Sequence, residues 1–222
     1  MQKFDTATPI AAVLDLPAAR VQLIAADRAD TTVEVLPANP GKSRDVKMAE
    51  QIQVAFQDGV LRIDTPEPKH RMLGHSGTIE VTIQLPAGST VEAGTATGEF
   101  RGVGRLGDVT FTGAAISVKL DETAAATLTV AAGDITVGRL GGSAQLTTQS
   151  GDITIAEAVR GEVVMSTKSG NLNVTAAAGT SAALDAGTGY GRISNTLKNT
   201  AGAPDLTIHA TTSNGDITAR SL

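Results

Sequence analysis

Three aspartates occupy equivalent places of a repeated segment, and their type and spacing make them the best candidates for binding a cation. Asp134, Asp152 and Asp216 each follow a glycine, in AGDITV, SGDITI and NGDITA, while Asn171 takes that place in SGNLNV. Stacked copies would hold neighbouring carboxylates about 5 Å apart, close enough to repel one another. Calcium takes several oxygen ligands of this kind. The three aspartates are therefore the candidate metal ligands.

Turn capping is the simpler role for the same aspartates. An Asp or Asn beside a turn glycine can hydrogen-bond nearby backbone groups. The row also lacks the G-G-x-G-x-D nonapeptide of calcium-binding β-rolls. We therefore predict turn capping, keep a calcium site as the alternative, and expect no other cofactor.

The best candidates for a surface groove that binds or cleaves a polysaccharide are Asp185, Tyr190 and Arg192. Such a groove would combine a carboxylate, a cationic side chain and an aromatic platform. Tyr190 is the only tyrosine of a chain that has no tryptophan, and this scarcity of rings weakens the hypothesis. We predict that the protein is not an enzyme and has no catalytic residues. Polysaccharide binding or cleavage is the alternative.

Two short motifs match known signatures without the element that their chemistry requires. GVGRLG (102–107) has the glycine spacing of a dinucleotide-binding loop, but an alternating strand, DVTFTG, follows it instead of a helix. GHSGT (74–78) resembles a nucleophile elbow, yet Thr78 replaces its second glycine. His70 lies close to it in sequence, whereas His209 has no evident partner. Both motifs are predicted to be turns or loops.

The elements that would position these residues are short strands that meet at a glycine. Apolar residues alternate on both sides of the glycine, as in strands with one buried face. The alternation changes phase across the glycine, so a straight strand would turn its second half outward. A corner at glycine keeps both halves facing one interior. Aligning the copies places these residues at the corner: Gly133, Gly151, Gly170 and Gly189, with Ala114 in an earlier copy.

Each copy is therefore interpreted as one coil of a solenoid, with two strands and a shorter third side. Neighbouring coils would hydrogen-bond to each other about 4.8 Å apart. We predict an all-β parallel β-helix, or β-solenoid, with coils of about 18–20 residues and a less regular N-terminal β cap. Threonines would line one flat outer face at Thr136, Thr154, Thr175 and Thr218.

The regularity of the pattern changes along the chain. Residues 91–222 carry the regular repeats, whereas residues 1–90 are more charged and are predicted to form irregular coils or a cap of one continuous domain. Loops are expected at 37–49 and 64–78. The best helix candidate, DVKMAEQIQVAF (45–56), runs into a strand pattern.

The ends of a solenoid must be blunted, because open strand edges recruit other chains. The last coil, Asp205–Leu222, has little sequence left to cover it. We therefore predict contact with a protein partner, or a homo-oligomer formed through the terminal coils. The function this favours is a structural scaffold that presents a rigid surface to a partner or to itself.

Composition excludes several classes of protein. The 222 residues carry a net charge of −5 and no cysteine, which excludes disulfides and thiolate metal sites. The acidic balance and the few aromatic rings disfavour nucleic-acid binding. No segment is long and apolar enough to span a bilayer, and the N-terminus lacks the apolar core of a secretion signal. A cytoplasmic location is predicted, with association with the cell envelope as the alternative.

A family resemblance accompanies these patterns. The segments LPAARVQLIAADRADTTVEVLP and LPAGSTVEAGTATGEF, together with the SGDITI repeats, resemble the bacterial β-strand-repeat "putative adhesin" family of unknown function. The resemblance covers nearly the whole chain. It implies a parallel β-helix-like solenoid and brings no catalytic residues with it. It also implies that relatives occur in the cytoplasm, anchored to membranes and in envelope-stress systems.

Overall fold

The computed structural model describes residues 1–65, 77–199 and 202–222, which form one 16-stranded sheet wound into a solenoid. Among these residues, no helix has the length and apolar character needed to cross a membrane. In chain order the elements are β1 (Gln2–Asp5), β2 (Ala11–Ala26), β3 (Asp30–Pro37), α1 (Ser43–Gln51), β4 (Gln53–Gln57), β5 (Val60–Asp64), β6 (Ile79–Pro86), β7 (Thr90–Ala132), β8 (Ile135–Leu140), β9 (Ala144–Ser150), β10 (Ile153–Ala158), β11 (Gly161–Ser169), β12 (Leu172–Ala176), β13 (Ala182–Tyr190), β14 (Ile193–Thr196), β15 (Leu206–Asn214) and β16 (Ile217–Ser221).

Parallel pairing between equivalent strands stacks the coils in register. β9 pairs with β11 and with the last part of β7, while β10 lies between β8 and β12. Ile153 stands opposite Ile135 on one side and Leu172 on the other, and all three side chains are buried. The predicted all-β solenoid with coils of about 18–20 residues is therefore confirmed.

Glycine corners join the two strands of a coil. Gly133, Gly151 and Gly170 have φ of 133°, 144° and 153°, which residues with a side chain rarely adopt. A Cβ on Gly151 would lie 2.2 Å from the carbonyl oxygen of Gly133. These three corners confirm the prediction, and their close stacking explains why glycine recurs there.

The predicted corner at Gly189 is wrong by two residues. The chain turns at Gly191, whose φ is 157° and whose Cβ would lie 2.0 Å from the carbonyl oxygen of Gly215. Tyr190 pairs with Asn214, which fixes this register.

The earlier copy shows the same shift. Val118 pairs with Ile135, so Ile116 rather than Ala114 stands opposite Gly133. A shift of two residues leaves every side chain on the same face of a strand. Alternation of apolar residues therefore fits either alignment, and the buried positions were predicted correctly although the corner was not.

The last coil in sequence is not the last coil in space. β15 lies between β11 and β13, and β16 lies between β12 and β14. The coil formed by β13 and β14, which we call the terminal coil, is thus the final layer, and the chain returns to insert β15 and β16 beneath it. The prediction that Asp205–Leu222 forms the uncovered end is wrong.

The opposite end of the solenoid carries antiparallel strands. β5 and β6 form the first parallel layer, against β2. β4 pairs with β5, β3 with β6, and β1 with β3, all antiparallel. The rings of Phe4 and Phe56 pack with their centroids 5.3 Å apart, which joins β1 to β4. We call β1, β3, β4 and α1 the N-terminal cap.

The helix α1 contributes to this cap. It packs against β3 and β6, with Met48 and Asp45 buried, and Asp45 accepts a hydrogen bond from the backbone N–H of Thr78 at 3.1 Å. The helix candidate at 45–56 is confirmed in its first part, and the strand pattern into which it runs is β4. The loop expected at 37–49 contains most of α1 and is wrong in that part.

The core runs along the axis of the solenoid as columns of equivalent residues. Leu146 and Met165 stand opposite each other, and Phe100 and Phe111 pack with ring centroids 4.7 Å apart. All four are buried. One sheet continues from the cap into the regular coils, so the predicted division near residue 90 stays a prediction.

Candidate functional site

The aspartates singled out by the sequence lie in one row along the corners of the coils. Each side-chain oxygen accepts a hydrogen bond from the backbone N–H of the equivalent residue in the next layer. The donors and acceptors are Asp152 N to Asp134 Oδ1 at 2.9 Å, Asn171 N to Asp152 Oδ1 at 2.7 Å, Asp216 N to Asn171 Oδ1 at 2.9 Å and Arg192 N to Asp216 Oδ1 at 2.8 Å. These bonds join neighbouring layers at the corner and do not cap the turn to which each side chain belongs, so turn capping stays a prediction. We call this set the corner row.

The corner row places few carboxylates together. Asp134 and Asp152 occupy adjacent layers, whereas Asn171 separates Asp152 from Asp216. Each of these side chains is exposed and uses one oxygen on a backbone N–H. In the described part of the chain, no group of three or more His, Asp or Glu side chains is arranged to hold a metal ion. Calcium binding at Asp134, Asp152 and Asp216 stays a prediction.

A second column, which sequence reasoning did not identify as polar, fastens the layers from inside. Threonines three residues before the corner donate their hydroxyl hydrogen to the carbonyl oxygen of the corner glycine in the neighbouring layer. The pairs are Thr148 with Gly133 at 3.3 Å, Thr167 with Gly151 at 3.2 Å, Thr212 with Gly170 at 3.1 Å and Thr188 with Gly215 at 3.0 Å. The signal in the sequence is threonine and glycine spaced as T-x-x-G.

The three residues proposed for a polysaccharide groove all lie on the terminal coil. Asp185 and Tyr190 are exposed on β13, and Arg192 follows the corner, where its backbone N–H is bonded to Asp216. Among the described residues, no hydrogen bond or ion pair joins the three side chains to one another. They lie along one edge of the solenoid. A role of these residues in sugar binding stays a prediction.

His209 has partners that the sequence did not reveal. Its Nδ1 lies 3.4 Å from Asp185 Oδ2, and its Nε2 lies 3.8 Å from Glu162 Oε1. These residues belong to three neighbouring layers, since β15 lies between β11 and β13. The expectation that His209 lacks a partner is wrong, because the chain order near this end differs from the order of the layers.

A shallow groove of about 450 Å³ lies on the outer face near the N-terminal cap. Asp15, Asp64 and Glu92 line it together with Arg62, and Gly94 leaves room beside Asp15. Asp15 stands directly opposite Asp64 across a parallel strand pair. Sequence reasoning missed this acidic groove because its residues come from layers that are not consecutive in the chain.

The two short motifs have no catalytic setting in the described residues. Residues 102–107 lie within the strand β7 and not in the predicted turn or loop, whereas the prediction that β-structure rather than a helix follows them is confirmed. Residues 66–76 fall outside the described part of the chain, so His70, His75 and Ser76 have no structural account. Thr78 directly precedes β6.

Comparison with known proteins gives the same fold. The family model described as Toastrack DUF4097 matches residues 12–220, while no curated protein matches the sequence. A "putative adhesin" from Parabacteroides distasonis ATCC 8503 is 14% identical, covers 98% of this chain and 95% of its own, and has a TM-score of 0.52. A "putative adhesin" from Bacteroides fragilis NCTC 9343 is 12% identical with the same coverage and a TM-score of 0.47. At such identities the likeness concerns the fold alone.

Proposed function

The chain belongs to the Toastrack DUF4097 family, and from this premise we propose that it is an interaction scaffold without enzymatic activity. Its rigid outer face would bind a protein partner at the bacterial cell envelope. The adhesin name of the Parabacteroides distasonis structure is in keeping with that location. The proposal thus takes the alternative location rather than the cytoplasm, which stays a prediction.

The observation that carries the proposal is a row of polar side chains on the outer face of the second strand of each coil. We call it the outer polar column: Thr136, Thr154, Asn173, Thr218 and Ser194, each opposite the next. Thr175, predicted to belong to this row, is instead buried, and its hydroxyl accepts a hydrogen bond from Arg220 Nε at 3.1 Å. Asn173 takes its place.

The outer polar column suits recognition of a protein surface for a physical reason. Its hydroxyl and amide groups both donate and accept hydrogen bonds, and the backbone ladder sets them about 4.8 Å apart. A surface held in this way loses little conformational freedom when a partner binds, which favours affinity. Catalysis would instead need reactive groups that converge on one point, as they do in an enzyme pocket.

Site-specific photo-crosslinking in the native host tests this proposal. A crosslinking side chain at Thr154 is expected to capture one discrete protein, and the yield should fall when Thr136→Lys and Thr218→Lys are introduced together. The matched control places the same crosslinker at Thr147, which lies on β9, the strand that precedes the corner at Gly151. Equal capture from Thr147, or none from Thr154, would contradict the proposal. An adduct that carries carbohydrate instead of protein would favour the polysaccharide alternative.

A further inference from the structure

The terminal coil leaves one side of both its strands without a partner. In the described part of the chain, β13 pairs only with β15, and β14 pairs only with β16. At the start of β13 the backbone N–H of Ala182 donates to the carbonyl oxygen of Lys198 at 3.1 Å. The rest of β13, from Ala183 to Tyr190, and the four residues of β14 have no described strand on their far side. We call this side the terminal edge. An unpaired edge of this kind is a template for a further strand.

The inward-facing side chains of the terminal coil are of the same kind as those of the inner coils, but no further layer covers them. Ile193 stands opposite Ile217, which in turn stands opposite Leu172. Ile217 and Leu172 are 0% exposed, whereas Ile193 is 46% exposed. One more layer would bury Ile193 as the inner layers bury its counterparts, which is favourable in proportion to the apolar area removed from water. Tyr190, at the corner, is exposed beside it.

The opposite end of a second molecule is a poor match for the terminal edge. Its outermost strands are β1, with four residues, and β4, with five. Both run antiparallel to the strands beneath them, and the Phe4–Phe56 contact joins them. A nine-residue strand would therefore find only short, interrupted edges there. Another terminal edge offers the same length, the same corner and the same half-exposed apolar residues.

We propose that two copies of this chain join through their terminal edges into a symmetric end-to-end dimer. The inference rests on the proposed function and deepens it, because it names a second copy as one partner of the scaffold. A twofold axis uses the same edge on both molecules and closes the assembly at two, whereas head-to-tail stacking would continue into a filament. The axis also makes the new strand pairing antiparallel.

Charge on the terminal edge favours this antiparallel arrangement. Asp185 is exposed in the first half of β13, and Arg192 is exposed just beyond its end. Antiparallel pairing brings Asp185 of one copy toward Arg192 of the other. A parallel layer in the register of the inner coils would set Asp185 directly against the Asp185 of the second copy, and such like-charge contacts are unfavourable.

Sedimentation equilibrium of the full chain tests the dimer. The wild type is expected to shift from monomer to dimer, and no further, as its concentration rises. Ile193→Lys should raise the dimer dissociation constant about tenfold or more, because an inward-pointing charge blocks edge pairing. Leu36→Lys is the matched control, because Leu36 is 47% exposed but lies on β3 in the N-terminal cap. It should leave the dissociation constant unchanged.

Three results would overturn the proposal: a wild type that stays monomeric throughout, an assembly that grows beyond two copies, or a dimer that both lysine variants weaken equally. Circular dichroism of each variant checks that the fold is retained. Failure here is separable from failure of the proposed function, because the crosslinker at Thr154 reports on the outer polar column and not on the terminal edge.

Discussion

At the N-terminal end the first parallel layer lies beneath β1, β3, β4 and α1, whereas at the other end no described strand covers β13 and β14. The covered end uses elements foreign to the repeat: antiparallel strands, a helix and a pair of phenylalanine rings. The open end consists of the repeat alone. An edge left open in this way is a position where another chain can add.

The two ends also share a feature. At the N-terminal end, β2 precedes β5 and β6 in the chain, yet it lies between the layer that they form and the start of β7. At the second, β15 and β16 lie beneath the terminal coil, although they follow it in the chain. In both places the order of the layers in space differs from their order in the chain. A repeat pattern thus identifies coils but does not give their order at the ends.

The largest expected difference between a covered and an open layer concerns one pair of isoleucines. Ile217→Ala should lower the free energy of unfolding by about 2–5 kcal/mol, because this side chain is fully buried between two layers. Ile193→Ala should lower it by about 1 kcal/mol, because half of this side chain already meets water. Urea denaturation of dilute protein measures both values, since dilution prevents a dimer from burying Ile193. Equal losses would show that the terminal edge is covered within one chain.

A smaller effect is expected from opening the covered end. Phe56→Ala removes one ring of the Phe4–Phe56 contact and should lower the free energy of unfolding by about 1–2 kcal/mol, because both rings are only partly buried. Phe56→Leu, which keeps most of the apolar volume, is the control and should lose less. The Ala variant should also associate more readily in light scattering, since its first layer is less well protected. A variant as stable and as monodisperse as the wild type would show that the ring pair does not close this end.

Much of the repeat was predictable because its signals are local. Gly133, Gly151 and Gly170 are followed by Asp or Asn and flanked by alternating apolar residues, so the corners and the corner row follow from the sequence. The corner at Gly191 does not, because Gly189 fits the same alternation two residues earlier.

Contacts between layers that are distant in the chain were not predictable. His209 meets Asp185 and Glu162 only because β15 inserts between β11 and β13. The opposed Asp15 and Asp64 require β5 to lie against β2. No periodicity within one segment carries such information. The hydroxyl of Thr212 bonds to the carbonyl oxygen of Gly170 in the neighbouring layer. This partner can be identified only when the order of the layers is known.

The smallest expected effect concerns an acid-sensitive contact at the covered end. Arg28 and Lys3 hydrogen-bond to Asp30 and hold the pKa of its carboxyl below the ordinary value of 3.8, which fastens β1 to β3. Because the folded-state pKa is the lower one, the stabilisation is present above pH 3.8 and is lost as the pH falls through the folded-state value. Asp30→Asn should therefore be slightly less stable than the wild type at pH 7, and the difference should vanish in more acidic solution. Urea denaturation of both proteins between pH 7 and pH 3 measures this, and a difference that stays constant over that range would show that Asp30 stabilises the cap by packing and not by charge.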